Sequence, residues 1–391
     1  MVRIKLPSIP RDWELKEISS LARISTGSSK PGGGHRYVVL DMGSVDRTGN
    51  LVAKKLTDDS SDVMRMGELV MPKDDIGGGQ IIGKAVMVDR DDSYVLGDHV
   101  YRLTIFDGDP AFIRYAINSD SVNASLRRKV VGSAQLGLPR RAVEEQMIPF
   151  PPIGEQRAIV AALSDASAWV ESLDALILKK RDVKKAAHQS LLSGSTRLTG
   201  FREDWRSVSL NAICRPRTSK VASDSALLDA VCVDLEDIEP RTGRLVGQSK
   251  LSDSRSGRTL FYEGDVLFGK LRAYLQKYWH ASCDGVCSAE IWALEPLVGE
   301  CDSRYLEQLV TTARFVEAAS ATYGTHMPRS DWTIVGTTKF HVPGVEEQRA
   351  IGTFLADMDA EIDALVAQRD KAELIRQGMA QDLLTGKVRL I

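Results

Sequence analysis

The sequence predicts an α+β fold in which two globular segments and two long helices form an internal repeat. The stretch Glu155–Leu198 returns as Glu347–Leu390 at a constant offset of 192 residues, without a gap. Both copies begin with EQRAI and end with Arg-Leu. Self-similarity at a fixed offset is the signature of a duplicated architecture. The segments that precede the two copies alternate β-like runs with glycine-rich loops, which predicts globular modules.

The first globular segment spans residues 1–152. Four runs in it have strand character, at residues 36–40, 68–71, 85–88 and 99–105. Glycine triplets punctuate them, and residues 110–131 have the apolar spacing of a helix.

Residues 153–198 predict the first long helix, and residues 344–391 predict the second. Apolar residues step by three and four along about 33 residues of each, or ~50 Å of helix. This spacing is typical of helices that supercoil around a partner, and the natural partner of each copy is the other. The seam comprises Ile159, Leu163, Val170, Leu173 and Ile177 in the first copy and Ile351, Leu355, Ile362, Leu365 and Leu383 in the second.

A plainer interpretation is two amphipathic helices that pack on separate cores. The length of the rows favours the coiled coil, because such helices are long for small globular domains. Polar residues interrupt the seam at Lys180, Lys184, Arg369 and Arg376, where pairing is predicted to be least secure. Each copy ends in a glycine, Gly194 or Gly386, which can take the left-handed conformation that closes a helix.

Residues 199–343 repeat the sequence pattern of the first globular segment, with a different length. Asp204-Trp205 repeats Asp12-Trp13 at the 192-residue offset, while other echoes drift between 189 and 197. Modules that diverge on a helical frame of fixed length suggest that the modules carry a variable task and that the helices hold geometry. Drift in surface loops after an old duplication would look similar.

Composition bounds the class of protein. The chain has 391 residues, 43% of them hydrophobic and 27% charged, with a net charge of −2, which is ordinary for a globular protein. No apolar run approaches the ~18 residues of a membrane helix, and residues 1–13 lack the apolar core of a signal peptide. The five cysteines are odd in number and predict reduced cytosolic thiols.

Four stretches imitate catalytic or metal-binding motifs and are better explained structurally. Gly78–Lys84 has P-loop spacing, but a strand follows it where a P-loop needs a helix. Asp12–Lys16 resembles part of a nuclease motif, yet only Asp-Trp persists in the repeat, which favours a tryptophan packed at the start of each module. Phe150–Ile153 lacks the polar and aromatic ends of a methylase motif. His280, Cys283 and Cys287 lack zinc spacing and a fourth ligand.

Local charge is more informative than net charge. Residues 241–277 carry eight Lys or Arg against three acids, a surplus of five, with interleaved aromatics. Residues 121–143 carry five Lys or Arg and no acid. Such clusters suit phosphate neutralisation, and arginine suits guanine edges. A solvated charged face is the alternative for each cluster taken alone.

With these repeats, the chain resembles the specificity subunits of type I restriction–modification systems over essentially its whole length. The most specific parts are the helix ends LLSGSTRL (191–198) and LLTGKVRL (383–390). The second module adds Glu263–Leu275, Asp284–Ser288 and Met327–Arg329, and the first module has Leu138–Arg140 in the position of the last of these.

The resemblance implies a circular, pseudo-twofold arrangement without catalysis of its own. Two globular α/β target-recognition domains are separated by two long antiparallel helices, and each domain reads one half of a bipartite site in double-stranded DNA. Two methyltransferase (modification) subunits attach around the helices, and restriction subunits with translocase and nuclease activities can join. The chain itself needs no cofactor or metal, since the methyl donor belongs to the modification subunits.

The DNA-contacting residues expected from charge and position lie in both modules. A non-DNA scaffold, whose modules bind proteins, is the alternative function, and a stand-alone DNA enzyme is a third for which the sequence offers no residues. The expected DNA-binding residues are Lys73, Lys84, Arg140 and Arg141 in the first module, and Lys270, Arg272, Tyr274, Lys277 and Arg329 in the second.

Overall fold

The computed structural model describes residues 9–46, 49–76, 78–133, 135–221, 231–248, 257–321 and 329–390. Lys250 and Arg255 of the basic stretch, and Met327 and Pro328 of the family motif, lie outside these residues. The chain forms two compact units. Unit 1 comprises Met1–Leu173 and Gln368–Ile391, and unit 2 comprises Asp174–Ala367. Each unit therefore contains one globular segment together with part of each long helix.

The globular part of unit 1 is built on two small sheets. A four-stranded antiparallel sheet has the order β2-β9-β5-β7, and a three-stranded sheet has the order β4-β3-β8 with a parallel β3–β8 pair. Two antiparallel pairs, β1–β11 and β6–β10, complete it. The strands are β1 (Glu14–Glu17), β2 (Ala22–Thr26), β3 (Tyr37–Leu40), β4 (Leu56–Thr57), β5 (Leu69–Pro72), β6 (Asp74–Asp75), β7 (Val86–Met87), β8 (Tyr94–Leu96), β9 (Val100–Ile105), β10 (Leu136–Gly137) and β11 (Met147–Phe150).

The helix predicted over residues 110–131 is two helices, α1 (Pro110–Asn118) and α2 (Asp120–Arg128). The prediction of one continuous helix is wrong because Ser119 lies between them in an extended conformation, with ψ of 147°, and ends the first. Its hydroxyl donates to the carbonyl of Ala116, 2.7 Å away. The short α3 (Arg140–Glu144) follows, and α4 is the long helix Ile153–Leu192.

Unit 2 repeats this plan with a different second sheet. Its antiparallel sheet has the order β13-β20-β17-β18, and its mixed sheet has the order β14-β16-β19-β15 with β15 and β19 parallel. The strands are β12 (Arg206–Ser209), β13 (Cys214–Pro216), β14 (Lys220–Val221), β15 (Val231–Val233), β16 (Arg258–Phe261), β17 (Val266–Gly269), β18 (Tyr278–His280), β19 (Gly285–Cys287), β20 (Ile291–Pro296) and β21 (Lys339–Val342). The helices are α5 (Ser303–Leu309), α6 (Ala313–Ser320), α7 (Trp332–Val335) and α8 (Val345–Leu384).

The long helices α4 and α8 each have 40 residues, and their ends keep the 192-residue offset. Their ends pack into the globular cores. Ile159 and Leu163 of α4 are buried in the main core of unit 1 together with Leu383 of α8. Ile351 and Leu355 of α8 are buried in the main core of unit 2. These five seam residues therefore also serve as core residues of the modules.

The polar interruptions of the seam connect the two helices within unit 2. The Lys180 ammonium lies 2.6 Å from a Glu361 carboxylate oxygen, and that of Lys184 lies 2.5 Å from Asp359. Partner numbers fall along α8 as they rise along α4, so the helices run antiparallel here. In unit 1, Arg376 instead pairs with Glu373 on its own helix.

A repeated clasp joins the start of one long helix to the chain that follows the other. In unit 1, Glu155 at the start of α4 accepts hydrogen bonds from the Trp13 indole (2.9 Å) and the Arg389 guanidinium (2.6 and 2.8 Å). Arg389 also binds Asp12. Burial alone would raise the pKa of Glu155, but the hydrogen bonds from Arg389 and Trp13 outweigh it and hold this pKa below its ordinary value.

Unit 2 contains the equivalent clasp at the 192-residue offset. Glu347 at the start of α8 accepts from the Arg197 guanidinium at 2.5 and 2.6 Å and from the Trp205 indole at 3.3 Å. Each arginine also lies over its tryptophan ring, at 5.5 Å in unit 1 and 5.6 Å in unit 2. The tryptophan predicted to pack at the start of each module is confirmed, and the sequence identities of the repeat become spatial contacts.

The glycines that close the helices have a second task beside the clasps. Gly194 and Gly386 have φ of +72° and +71°, which confirms the predicted left-handed ends. A β-carbon on Gly386 would lie 2.5 Å from Pro10 and 3.3 Å from Trp13. One on Gly194 would lie 3.4 Å from the Trp205 ring. Glycine therefore allows both the turn and the close approach of the tryptophan.

Candidate nucleic-acid interface

One exposed part of the expected interface in unit 2 is a tight turn after β17. Residues 273–275 form a single 3-10 turn, and Arg272 and Gln276 on either side of it have left-handed backbones, with φ of +55° and +51°. Such a conformation costs a non-glycine residue ~1–2 kcal/mol. The turn presents Arg272 to solvent and leaves Tyr274 49% exposed, while Ala273 anchors it in the core. Strained, exposed polar turns of this kind concentrate at functional sites.

Three further expected residues, Lys270, Lys277 and Arg329, lie beside this turn, and the side chains of the last two have partners within the protein. Leu271, which follows Lys270, forms a β-bridge with Arg329. The Ser330 amide donates to the Lys270 carbonyl at 3.0 Å. The Arg329 guanidinium binds both carboxylate oxygens of Glu290, at 3.0 and 2.8 Å. The Lys277 ammonium donates to the Leu235 carbonyl at 2.7 Å.

Unit 1 has a comparable arrangement around the end of β5. The Leu138 amide donates to the Lys73 carbonyl at 2.7 Å, as Ser330 does to Lys270. The Lys73 ammonium lies 5.9 Å from the centre of the Tyr101 ring. Arg140 and Arg141 are exposed on α3, where they pair with acids four residues on, Glu144 and Glu145. Exposed pairs of this type contribute ~0–1 kcal/mol, so both arginines can exchange partners readily.

Lys84 differs from the other expected residues because it is half-buried. Burial lowers its pKa, the carboxylate of Asp120 acts in the opposite direction, and the positive charge of Arg127 lowers it further. The loop before β7 is fixed to α2, because the Asn123 side chain on α2 donates to the Gly83 carbonyl at 3.1 Å. The near P-loop is therefore a loop packed on α2 and followed by a strand, as the sequence predicted.

The other motif-like residues have structural partners. Asp12 binds Arg389 in the clasp, and the ring of Phe150 lies 4.2 Å from the Lys16 ammonium. His280 shares a 2.6 Å hydrogen bond with the Ser303 hydroxyl, and Cys287 is buried in β19. Burial raises the pKa of the Cys287 thiol to about 12. In the described ranges, no group of three or more His, Cys, Asp or Glu is placed to hold a metal ion.

The structure thus brings the expected residues of each unit together around the end of one central strand, β5 or β17. Sequence reasoning missed the left-handed conformations of Arg272 and Gln276. It also missed the intramolecular partners of Lys277 and Arg329, for which no sequence signal exists. No helix in the described part of the chain is both long and apolar enough to cross a membrane.

Comparison with known proteins places this geometry in context. No protein-family model matches the chain. A curated relative, the type I restriction enzyme EcoDI specificity subunit of Escherichia coli, is 24% identical over 277 residues. That alignment covers 62% of this chain and 61% of the relative's length.

Solved structures match over nearly the full length. The HsdS subunit of Thermoanaerobacter tengcongensis aligns with a TM-score of 0.53 and 18% identity, covering 97% of this chain and 98% of that one. The type I restriction–modification S subunit of M. genitalium aligns with a TM-score of 0.59 and 16% identity, covering 97% of each chain. The chain has the fold of a type I specificity subunit. The resemblance predicted from the repeats is confirmed.

A third match extends the same result. It is a chain from a structure that describes complex assembly and conformational transition of the type I R-M system. It aligns with a TM-score of 0.59 and 17% identity, covering 97% of this chain and all of that one. The specificity-subunit fold of this protein therefore comprises both units, including both long helices, and is not limited to one module.

Proposed function

We propose that the protein is the DNA sequence-recognition subunit of a type I restriction–modification complex. Each unit reads one half of a bipartite site, and the chain directs methyltransferase and restriction subunits to it. The observation that carries this proposal is the full-length specificity-subunit fold, in which each unit has its own basic surface at the end of a central strand. Two separate reading surfaces on one chain suit two half-sites.

The contacts divide by chemistry. Arg272 and Tyr274 are exposed on a strained turn in unit 2, which suits groups that reach base edges. Arg140 and Arg141 in unit 1 are exposed on a short helix and suit phosphates. Lys277 and Arg329 hold the shape of the reading surface through their bonds to Leu235 and Glu290.

Methyl transfer belongs, in this proposal, to two modification subunits that bind the outer faces of α4 and α8. Apolar side chains are exposed on these helices, including Leu178 at 62% and Leu374 at 68%. Side chains of this kind suit docking of a partner. The chain itself carries no methyl donor and no catalysis, and the assembled complex works in the prokaryotic cytoplasm beside the nucleoid.

Methylation-sensitive sequencing tests the proposal. The chain is expressed with its modification subunits in a host that lacks methylation, and the genome is sequenced. We expect methylated adenines at one bipartite motif that disappears when the chain is omitted. Methylation without a bipartite motif, or none with an assembled complex, would favour the non-DNA scaffold.

A further inference from the structure

An open, polar cleft of about 1250 Å³ lies within unit 2, outside the DNA-contacting residues expected from the sequence. Its walls come from α4, α8, the turn at 241–244, the region between α5 and α6, and β21. Seven Lys or Arg residues line it, against three acids. The cleft therefore carries a surplus of four positive charges before any histidine is protonated.

Most of these cations have no acid of their own. Lys184 pairs with Asp359 and Arg244 pairs with Asp363. Among the described residues, the other five have no ion pair or side-chain hydrogen bond to the protein: Arg181, Lys185, Arg241, Arg314 and Lys339. All five are exposed, and Arg314 also lies over the Phe340 ring, 5.8 Å from its centre. Their charges are therefore accessible to an anion that enters the cleft.

The positive face of α4 is not a requirement of its helix. Arg181, Lys184, Lys185 and His188 follow the spacing that places side chains on one helix face. The positions 192 residues later in α8 are Glu373, Arg376, Gln377 and Ala380. The same helical repeat thus forms with neutral or acidic residues at three of these four positions, so the charge belongs to unit 2 alone.

The cleft adjoins the strained turn of the reading surface. Its wall includes Arg241 and Gln276, both left-handed, and the Arg241 amide donates to the Gln276 carbonyl at 2.9 Å. With Arg272, these are three of the four non-glycine residues with positive φ in the described part of the chain. The hydroxyls of Thr311 and Thr312 also lie in the lining, but they already donate to the Gln308 and Leu309 carbonyls, at 2.8 and 2.7 Å, which leaves the cations as the main donors to an anion.

We propose that this cleft binds the phosphates of one DNA strand beside the half-site read by unit 2, with α4 supplying three of its seven cations. This inference rests on the proposed function and extends it, because it makes a spacer helix part of the DNA contact. Phosphodiesters satisfy the unpaired cations, and backbone contacts position a reading surface without reading sequence. A free phosphate compound has the same chemistry, so the test must separate the two sources.

The test compares two variants of equal charge change in the full chain assembled with its modification subunits. R181Q/K185Q removes two cations from the cleft, and K179E lowers the charge by the same two units at an exposed position of α4 outside it. Binding to target and non-target duplexes is measured between about 50 and 200 mM salt. We expect R181Q/K185Q to lower the slope of log K against log salt by roughly one to two, and to weaken both duplexes alike.

K179E should change the slope less than the cleft variant does. Equal slopes for R181Q/K185Q and wild type, or equal effects of both variants, would overturn the cleft as a backbone site. Saturable binding of inorganic pyrophosphate to wild type that is lost in R181Q/K185Q, together with an unchanged DNA slope, would assign the cleft to a free anion instead. If the wild-type complex shows no target preference at all, the proposed function fails, which is a separate outcome.

Discussion

Arg272 and Gln276 show how much a single backbone conformation can matter at the residue scale. Both are left-handed, neither is glycine, and they bracket the most exposed aromatic residue of the reading surface, Tyr274. Arginine in this conformation is strained, while glycine would not be. Retaining a strained arginine next to an exposed tyrosine is explained if the side chain, and not the backbone, is needed there.

Substituting glycine for Arg272 or Gln276 distinguishes an effect on backbone strain from an effect on DNA recognition. We expect R272G and Q276G each to change the free energy of unfolding by no more than about 1 kcal/mol, because relief of strain offsets the added freedom of the unfolded chain. R272G should also lose roughly 1–3 kcal/mol of discrimination at one base position of the site, whereas Q276G should keep it. Urea unfolding and competition binding with single-base variants measure both. Equal discrimination in the two variants would contradict a reading role for Arg272.

Glu307 on α5 makes the stability of unit 2 depend on pH. Burial raises its pKa to about 7, Asp359 adds to this, and Lys184 and Arg304 act in the opposite direction. It also faces Tyr278 and lies in the cleft with His188, whose pKa burial lowers. Between pH ~4.5 and ~7 the native chain keeps a proton that the unfolded chain releases, so stability falls as pH rises through this window.

E307Q should abolish that fall. We expect wild type to lose about 1–3 kcal/mol of unfolding free energy from this group between pH 5 and pH 8, and E307Q to lose correspondingly less. The control is E317Q, which removes an exposed carboxylate on α6 of the same unit. Denaturant unfolding at both pH values measures the difference, and identical pH profiles of E307Q and wild type would show that Glu307 is not the group responsible.

At the scale of elements, the clasps explain why the ends of the repeat are its most similar parts. Glu155, Trp13 and Arg389 meet in unit 1, as Glu347, Trp205 and Arg197 do in unit 2. In each unit the arginine follows one long helix and the glutamate begins the other. The glutamates are almost fully buried, so their charges depend on these arginines.

Removing one clasp arginine should destabilise the unit that contains it. We expect R389M to cost about 2–4 kcal/mol, because the buried Glu155 carboxylate loses the only cation that neutralises its charge in the described clasp. Adding E155Q to R389M should restore part of the lost stability, since the neutral amide oxygen still accepts from the Trp13 indole. The control is R157M, which removes an exposed arginine from α4, the helix that carries Glu155. Thermal unfolding measures the effect, and R389M as stable as R157M would contradict the clasp's role.

The long helices and their ends could be predicted from the sequence, because apolar periodicity and a constant repeat offset can be read directly from it. They predicted both long helices, their glycine ends and a tryptophan packed at the start of each module. The break at Ser119 had a local signal, because serine followed by aspartate favours a helix start, but the apolar spacing on either side of it favoured one helix. The cleft could not be predicted, because Arg181, Arg241, Arg314 and Lys339 are distant in sequence and meet only in the folded unit.

At the scale of the whole molecule, the two long helices are the only elements that belong to both units in the described chain. Their lengths match at 40 residues and carry no insertion, whereas the modules differ in length and in the order of their second sheets. Sequence divergence is tolerated in the modules and length change is not seen in the helices. We infer from this that helix length sets the spacing between the two half-sites of the proposed DNA target.

Shortening a helix should therefore change spacing without changing sequence preference. We expect deletion of four residues around Val170–Ile177, or around their replicate in α8, to remove about 6 Å of helix. The methylated motif should keep both half-sites and change the number of bases between them. Four alanine substitutions at exposed positions of the same stretch are the control. An unchanged spacer in methylation-sensitive sequencing would contradict a ruler role for the helices.

Unit 1 also has a consequence for synthesis on the ribosome. Its core contains Leu383 and Leu384, and its clasp needs Arg389, although the rest of the unit is made before unit 2 begins. Residues 9–173 therefore emerge with part of their apolar core uncovered and wait for the last helix to be translated. A chain that ends within α8 would therefore leave the core of unit 1 without Leu383 and Leu384 and its clasp without Arg389.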